Sequence, residues 1–190
     1  TVWNRTREKA DPLVEKGAKI VESPGELADR DVVFTMVAGP SDFIEVTTGK
    51  DGVLSQGGQT PAMLIDCTTI SEEASRQVRE YAAQVGTSMI DAPVSGNAKV
   101  VVAGKLSFVA SGEVGAFEKA KPFLDAIGRG VSYVGEGERA RMIKICHNVL
   151  LGIVAQSLAE ITVLAEKGGV SRHSFLEFIC LLYTSDAADE

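Results

Sequence analysis

Lys144 and Asn148 close the run Lys144-Ile145-Cys146-His147-Asn148, and their four-residue spacing sets an amine and an amide on one face of a helix, where they can hold a small ligand together. A lysine among apolar neighbours is costly to bury while charged. It is therefore either a side chain snorkelling from a helix start or, with Asn148, part of a small-ligand site. Ser95, Gly96 and Asn97, in Asp91-Ala92-Pro93-Val94-Ser95-Gly96-Asn97 with Gly104-Lys105-Leu106-Ser107 following, bring small hydrogen-bonding groups together. That cluster makes either a tight turn or a place where backbone amides meet an anion. Cys146 and His147 are adjacent, so on a helix they diverge, and His173 is remote. No metal site and no Cys/His catalysis is expected from them.

A second group lies at the start, in Val2-Trp3-Asn4-Arg5-Thr6. At the end of the second strand of a dinucleotide fold, Asp or Glu binds a ribose 2′-OH and Arg accommodates a 2′-phosphate. Asn4, Arg5 and Thr6 read as that phosphate pocket or as a polar turn. Two further strand ends, Met36-Val37-Ala38-Gly39-Pro40-Ser41-Asp42 and Asp66-Cys67-Thr68-Thr69-Ile70-Ser71, are placed to face a ligand, because open α/β sheets bind beyond the carboxyl ends of their strands. Gly135-Glu136-Gly137-Glu138-Arg139-Ala140 matches the glycine-rich dinucleotide fingerprint on paper, with Glu160 about 20 residues on. No second strand follows it, so it reads as a tight strand-to-helix turn.

These residues need a scaffold of alternating strands and helices. Short β-branched runs at 1–3, 19–21, 31–36, 62–66, 88–92, 107–111 and 131–134 alternate with amphipathic stretches at 8–16, 23–29, 41–47, 71–85 and 115–127. That order predicts βαβ units and a mostly parallel sheet. Ser71 before Glu72-Glu73 reads as a helix cap, and Gly17, Gly86 and Gly128 as left-handed residues after helix ends. From 138 to 167 there is one long apolar helix, hydrophobic almost all round, which should be buried between domains or subunits. Residues 181–190 (LLYTSDAADE) leave the helical pattern and are expected to be a non-native tail.

Composition fits this frame. The chain has 190 residues, 45% apolar and 24% charged, with a net charge of −7. An acidic balance without a Lys/Arg block argues against nucleic-acid or anionic-membrane binding. The stretch 149–165 is interrupted by Gln156, Ser157 and Glu160 and falls short of the ~20 residues that span a bilayer, so no membrane helix is expected. Three cysteines without CxxC spacing point to reduced thiols in a cytoplasmic protein.

Taken in order, VWNRT, DCTTIS, DAPVSGN with GKLS, and GEG followed by KICHN resemble the β-hydroxyacid dehydrogenase family, in its 3-hydroxyisobutyrate dehydrogenase-like branch, over about residues 1–179. The resemblance implies an α/β fold: a Rossmann-type doubly wound sheet over 1–137, lacking its first βα unit and glycine-rich loop, then the first long helix of an all-α second domain over 138–180. It implies NADP in preference to NAD, and a short β-hydroxy acid or aldehyde acid as substrate. Lys144 matches the family's general acid/base, and Asn148 its helix partner. Ser95 and Gly96, with Asn97, fall on the substrate-carboxylate motif. Asn4, Arg5, Thr6, Val37, Ala38, Asp42 and Thr69 fall on the cofactor loops. Asn97 and His147 depart from the Gly and Asn of many members. A homodimer or homotetramer is expected. Apolar neighbours, Arg141 one turn away and the helix N-terminus are the expected sources of a lowered Lys144 pKa, and Arg5, Arg141 and Lys144 of a positive pocket. An imine reductase of the same superfamily, or a non-catalytic oligomerisation module, are the alternatives.

Overall fold

The computed structural model describes residues 1–96 and 98–184. Residues up to Lys144 form one compact unit, and the described residues from Ile145 on form a second.

In the first unit, β1 (Val32–Thr35), β2 (Met63–Asp66) and β3 (Ser88–Asp91) run parallel in that spatial order. A second three-stranded sheet contains β4 (Val94–Ser95), β5 (Ser107–Ala110) and β6 (Gly130–Tyr133). There β5 and β6 are parallel, and β4 is antiparallel to β5. Among the described residues an isolated antiparallel bridge, Asp91 to Ser111, joins the two sheets. The helices are α1 (Asp11–Val14), α2 (Pro40–Thr48), α3 (Glu72–Gln84), α4 (Ala98–Val102) and α5 (Val114–Ile127), then α6 (Arg139–Lys167) and α7 (Arg172–Thr184).

All four residues of β2 are buried because both of its faces are covered. Successive side chains leave a strand on opposite faces. Met63 and Ile65 accordingly join Ile90, Phe108, Phe117 and Leu124 in one core, while Leu64 joins Val33, Phe43, Val78 and Met89 in the other. The mostly parallel α/β architecture expected from the alternating pattern is the one observed. Ser71 caps α3, its hydroxyl accepting from the Ala74 amide at 3.3 Å.

Several local expectations change. The runs at 1–3 and 19–21 reduce to one parallel bridge, Val2 to Ile20. Without further ladder partners, neither run accumulates the paired backbone groups that make a strand. The helix expected at 8–16 splits into a 3₁₀ turn, Arg7–Lys9, and the single turn of α1, and the one at 23–29 is a 3₁₀ turn, Pro24–Leu27, closed by a Ser23/Glu26 capping box. The two-residue β4 and the one-turn α4 are too short for a periodic signal. Gly17 and Gly86 are left-handed at φ +90° and +81°, but Gly128 is extended at φ −138°. It is small for another reason. A Cβ there would stand 2.6 Å from the Phe108 ring and 2.7 Å from the Leu106 carbonyl.

The long helix was expected to be buried between domains or subunits; in the single chain Ile145, Val149, Leu150, Ile153, Val154, Ile161 and Leu164 are exposed. At 29 residues, with mean hydropathy 1.7 over its best window, α6 is long and apolar enough to cross a bilayer by length and composition alone. Its first turns are nevertheless tied into the first unit by polar contacts described below. Leu181–Thr184 continue α7 and do not break the helical pattern; residues 185–190 lie outside the described part.

Candidate functional site

Lys144 lies early in α6, and its Nζ donates to the Ser95 hydroxyl at 3.3 Å. Ser95 is fixed by antiparallel pairing with Ser107, beyond the Gly104-Lys105-Leu106 turn. Gly96 follows at φ +147°, and a Cβ there would meet Val100 Cγ1 at 2.8 Å and Leu106 Cδ2 at 2.9 Å. Both its backbone and its space require glycine. Lys144 is partly buried, and desolvation holds its amine below the ordinary lysine value. Arg141 is not a source of this shift, because its charge is cancelled within the protein.

Six of the cofactor candidates share one cleft of about 840 Å³: Asn4, Arg5, Thr6, Val37, Ala38 and Asp42. Asn4 Oδ1 accepts from the Thr6 amide at 2.9 Å and closes a local turn. Arg5 Nη1 donates to Asp42 Oδ1 at 2.8 Å, although its side chain stays 72% exposed. The Val37 amide donates to Thr68 Oγ1 at 3.1 Å. Thr69 is exposed on the loop after β2, next to Thr68, and does not line this cleft. Asn148 is exposed in the second unit, one turn beyond Lys144. Asn97 lies outside the described residues. Among the described residues, no group of three metal-ligating side chains occurs.

A third cluster lies beneath these two. Arg141, Asp66 and Asp91 have no exposed side-chain surface. The Arg141 guanidinium donates to Asp66 Oδ2 at 2.6 Å and Asp91 Oδ1 at 2.7 Å, and also to Ser75 Oγ and the Thr68 carbonyl. Asp66 accepts from Thr35 Oγ1 at 2.6 Å and Thr68 Oγ1 at 2.7 Å. Asp91 is paired with Arg79 at 2.7 Å, which also reaches Glu138 at 2.9 Å. Arg141 is therefore not part of an open positive pocket, and Arg5 is likewise balanced by Asp42. The cluster has a signal in the sequence: two apolar strands, each ending in an aspartate at the same register, Asp66 opposite Asp91. Two buried carboxylates side by side require a cation.

The sequence profile of the NAD binding domain of 6-phosphogluconate dehydrogenase matches residues 1–135. The chain belongs to this family. It is 36% identical over 180 residues to glyoxylate/succinic semialdehyde reductase 2, chloroplastic, of Arabidopsis thaliana, an alignment covering 94% of this chain and 50% of that protein. It is 37% identical over 159 residues to the 3-hydroxyisobutyrate dehydrogenase of Pseudomonas aeruginosa, covering 83% of this chain and 53% of that one. The chain thus spans about half the length of these curated relatives. Among solved structures, Mycobacterium tuberculosis 3-hydroxyisobutyrate dehydrogenase with L-serine superposes with a TM-score of 0.83 at 29% identity, covering 94% of this chain and 60% of that one. The expected Rossmann-type NAD-binding fold and the likeness to 3-hydroxyisobutyrate dehydrogenases are both present.

Proposed function

We propose that the chain is the cofactor-binding part of an NAD(P)-dependent enzyme interconverting a short β-hydroxy acid and its semialdehyde or keto form, with Lys144 as general acid/base. The observation that carries this reading is the Lys144–Ser95 contact beside the left-handed Gly96. It sets a proton-transferring amine, a hydroxyl and an accessible backbone turn within reach of one small acid. Burial lowers the amine's pKa, which raises the fraction able to accept a proton near neutrality.

The cleft supports a dinucleotide whose ribose carries a 2′-phosphate, and so NADP over NAD. Asn4, Arg5 and Thr6 offer donors at its mouth, and an exposed pair such as Arg5–Asp42 is worth only about 0–1 kcal/mol, so the guanidinium is readily redirected to a phosphate. Val37, Ala38, Asp42 and Thr69 would line the cofactor. When bound, the nicotinamide supplies the hydride chemistry. The residues of this chain do the rest. In the oxidative direction Lys144 Nζ takes the proton of the substrate hydroxyl, and in reduction it returns that proton to the carbonyl oxygen. Ser95 orients the substrate carboxylate through its hydroxyl, the Gly96 turn lets the backbone approach it, and Asn97 and Asn148 complete the substrate set. The exposed apolar side chains of α6 support a homodimer or homotetramer as the working form.

The experiment is Lys144→Ala in the full-length enzyme, assayed with NADPH and a panel of glyoxylate, succinic semialdehyde and 3-hydroxyisobutyrate. A loss of kcat of about 10²-fold or more with unchanged NADPH affinity is expected. Near-normal turnover, or turnover of a cyclic imine with none of the acids, overturns the reading.

A further inference from the structure

The buried cluster joins the two sites. From the start of α6, Arg141 reaches Asp66 at the end of β2 and Asp91 at the end of β3. Asp66 in turn accepts from Thr68 Oγ1, and that oxygen accepts from the Val37 amide. Three residues after Arg141 on the same helix stands Lys144, in contact with Ser95. An unbroken line of hydrogen bonds therefore runs from the cleft loop that holds Val37 to the helical turn that holds Lys144. None of its central members is reachable by a ligand, since Arg141, Asp66 and Asp91 are buried. Their role is mechanical.

We propose that Arg141 is a positioning residue: its fork clamps the start of α6 to the ends of β2 and β3 and, through Asp66 and Thr68, to the Val37 loop, so that the amine and the cofactor loop are held in one register. Guanidinium geometry matters here. A fork can serve two carboxylates and a carbonyl at once, whereas an ammonium is a point charge that cannot reproduce that pattern. The inference rests on the proposed function for its purpose, but its test reads neither cofactor binding nor turnover, so the two can fail separately.

The experiment uses the full chain and four variants. Arg141→Lys keeps the charge and loses the fork, Arg141→Met loses both, and Thr68→Val cuts only the link to Val37. Leu124→Ala, in the α5 core, serves as a control for lost stability. Hydrogen exchange at the Val37 amide and the pH midpoint of Lys144 labelling by an amine-reactive reagent are measured on each. Arg141→Lys is expected to raise Val37 exchange by about tenfold and to move the Lys144 midpoint towards that of an ordinary lysine, with Arg141→Met larger in both. Thr68→Val should raise exchange at Val37 and leave the Lys144 midpoint unchanged. Leu124→Ala should move neither. If Arg141→Lys behaves as the parent chain, or Leu124→Ala shifts both readouts as far as Arg141→Lys does, Arg141 is only a structural residue and the proposal is overturned.

Discussion

Replacing Arg141 with methionine should destabilise the first unit by an amount that depends on pH. The change leaves two buried carboxylates with unequal support. Asp91 keeps Arg79 and Ser75, whereas Asp66 keeps only the hydroxyls of Thr35 and Thr68. Removing one member of a buried pair costs about 3–5 kcal/mol. Methionine fills part of the aliphatic volume, so the lower end, about 3 kcal/mol, is expected near pH 8. Burial already raises the Asp66 carboxyl above its ordinary 3.8, against the opposing pull of Arg141. Without Arg141 it must rise further. A raised folded-state pKa means that the folded chain binds more protons than the unfolded one, so stability falls as pH climbs through that window and returns as pH drops towards the ordinary value. Urea unfolding followed by far-UV circular dichroism reads this directly. With a slope of about 2 kcal/mol/M, the midpoint should fall by about 1.5 M at pH 8 and by clearly less at pH 5.5. Equal losses at the two pH values, or a variant as stable as its parent, would refute the account of Asp66 as the residue left uncompensated.

Other outcomes follow from the same geometry. Gly96→Ala should cost about 1–3 kcal/mol, from strain at φ +147° and crowding by Val100 and Leu106, and in the full-length enzyme it should raise KM for the hydroxy acid more than it lowers NADPH affinity. Gly128→Ala should cost a similar amount, about 1–3 kcal/mol by thermal unfolding, despite its ordinary extended backbone, because its Cβ meets Phe108. Asp42→Asn releases Arg5, so in the full-length enzyme it should tighten NADPH and leave NADH nearly unchanged in a fluorescence titration. In the folded chain a thiol reagent at pH 8 should label the exposed Cys146 and Cys180 promptly. Cys67 should react only on unfolding, since burial beside Asp66 pushes its thiol up to about 12.

The β-branched strands and the longer helices were legible because each spans enough residues to show its period, as in α3 with its Ser71 cap and α5 behind Phe117 and Leu124. The grouping of Lys144 with Ser95 was legible through motifs that are local in sequence. What escaped was either short or distant. Two residues of β4 and one turn of α4 carry no period. Gly128 looks like a helix stop from its neighbours, and only the packed Phe108 ring reveals why it must be small. Arg141 looked like a charge beside Lys144, whereas its partners come from strands separated from it by many residues. Burial turned an apparent electrostatic neighbour into a neutralised strut.

The spans of those ion pairs bear on how the chain is made. Asp66 and Asp91 precede Arg141 by 75 and 50 residues. During synthesis from the N-terminus, all six strands leave the ribosome before the guanidinium that neutralises them does. Until then the ends of β2 and β3 hold two carboxylates with Arg79 as their nearby cation. The closing contact of the first unit is thus made by the opening turn of α6, across long loops. A nascent chain stalled just short of residue 141 should remain open to protease at the end of β2, and one extended past Lys144 should not.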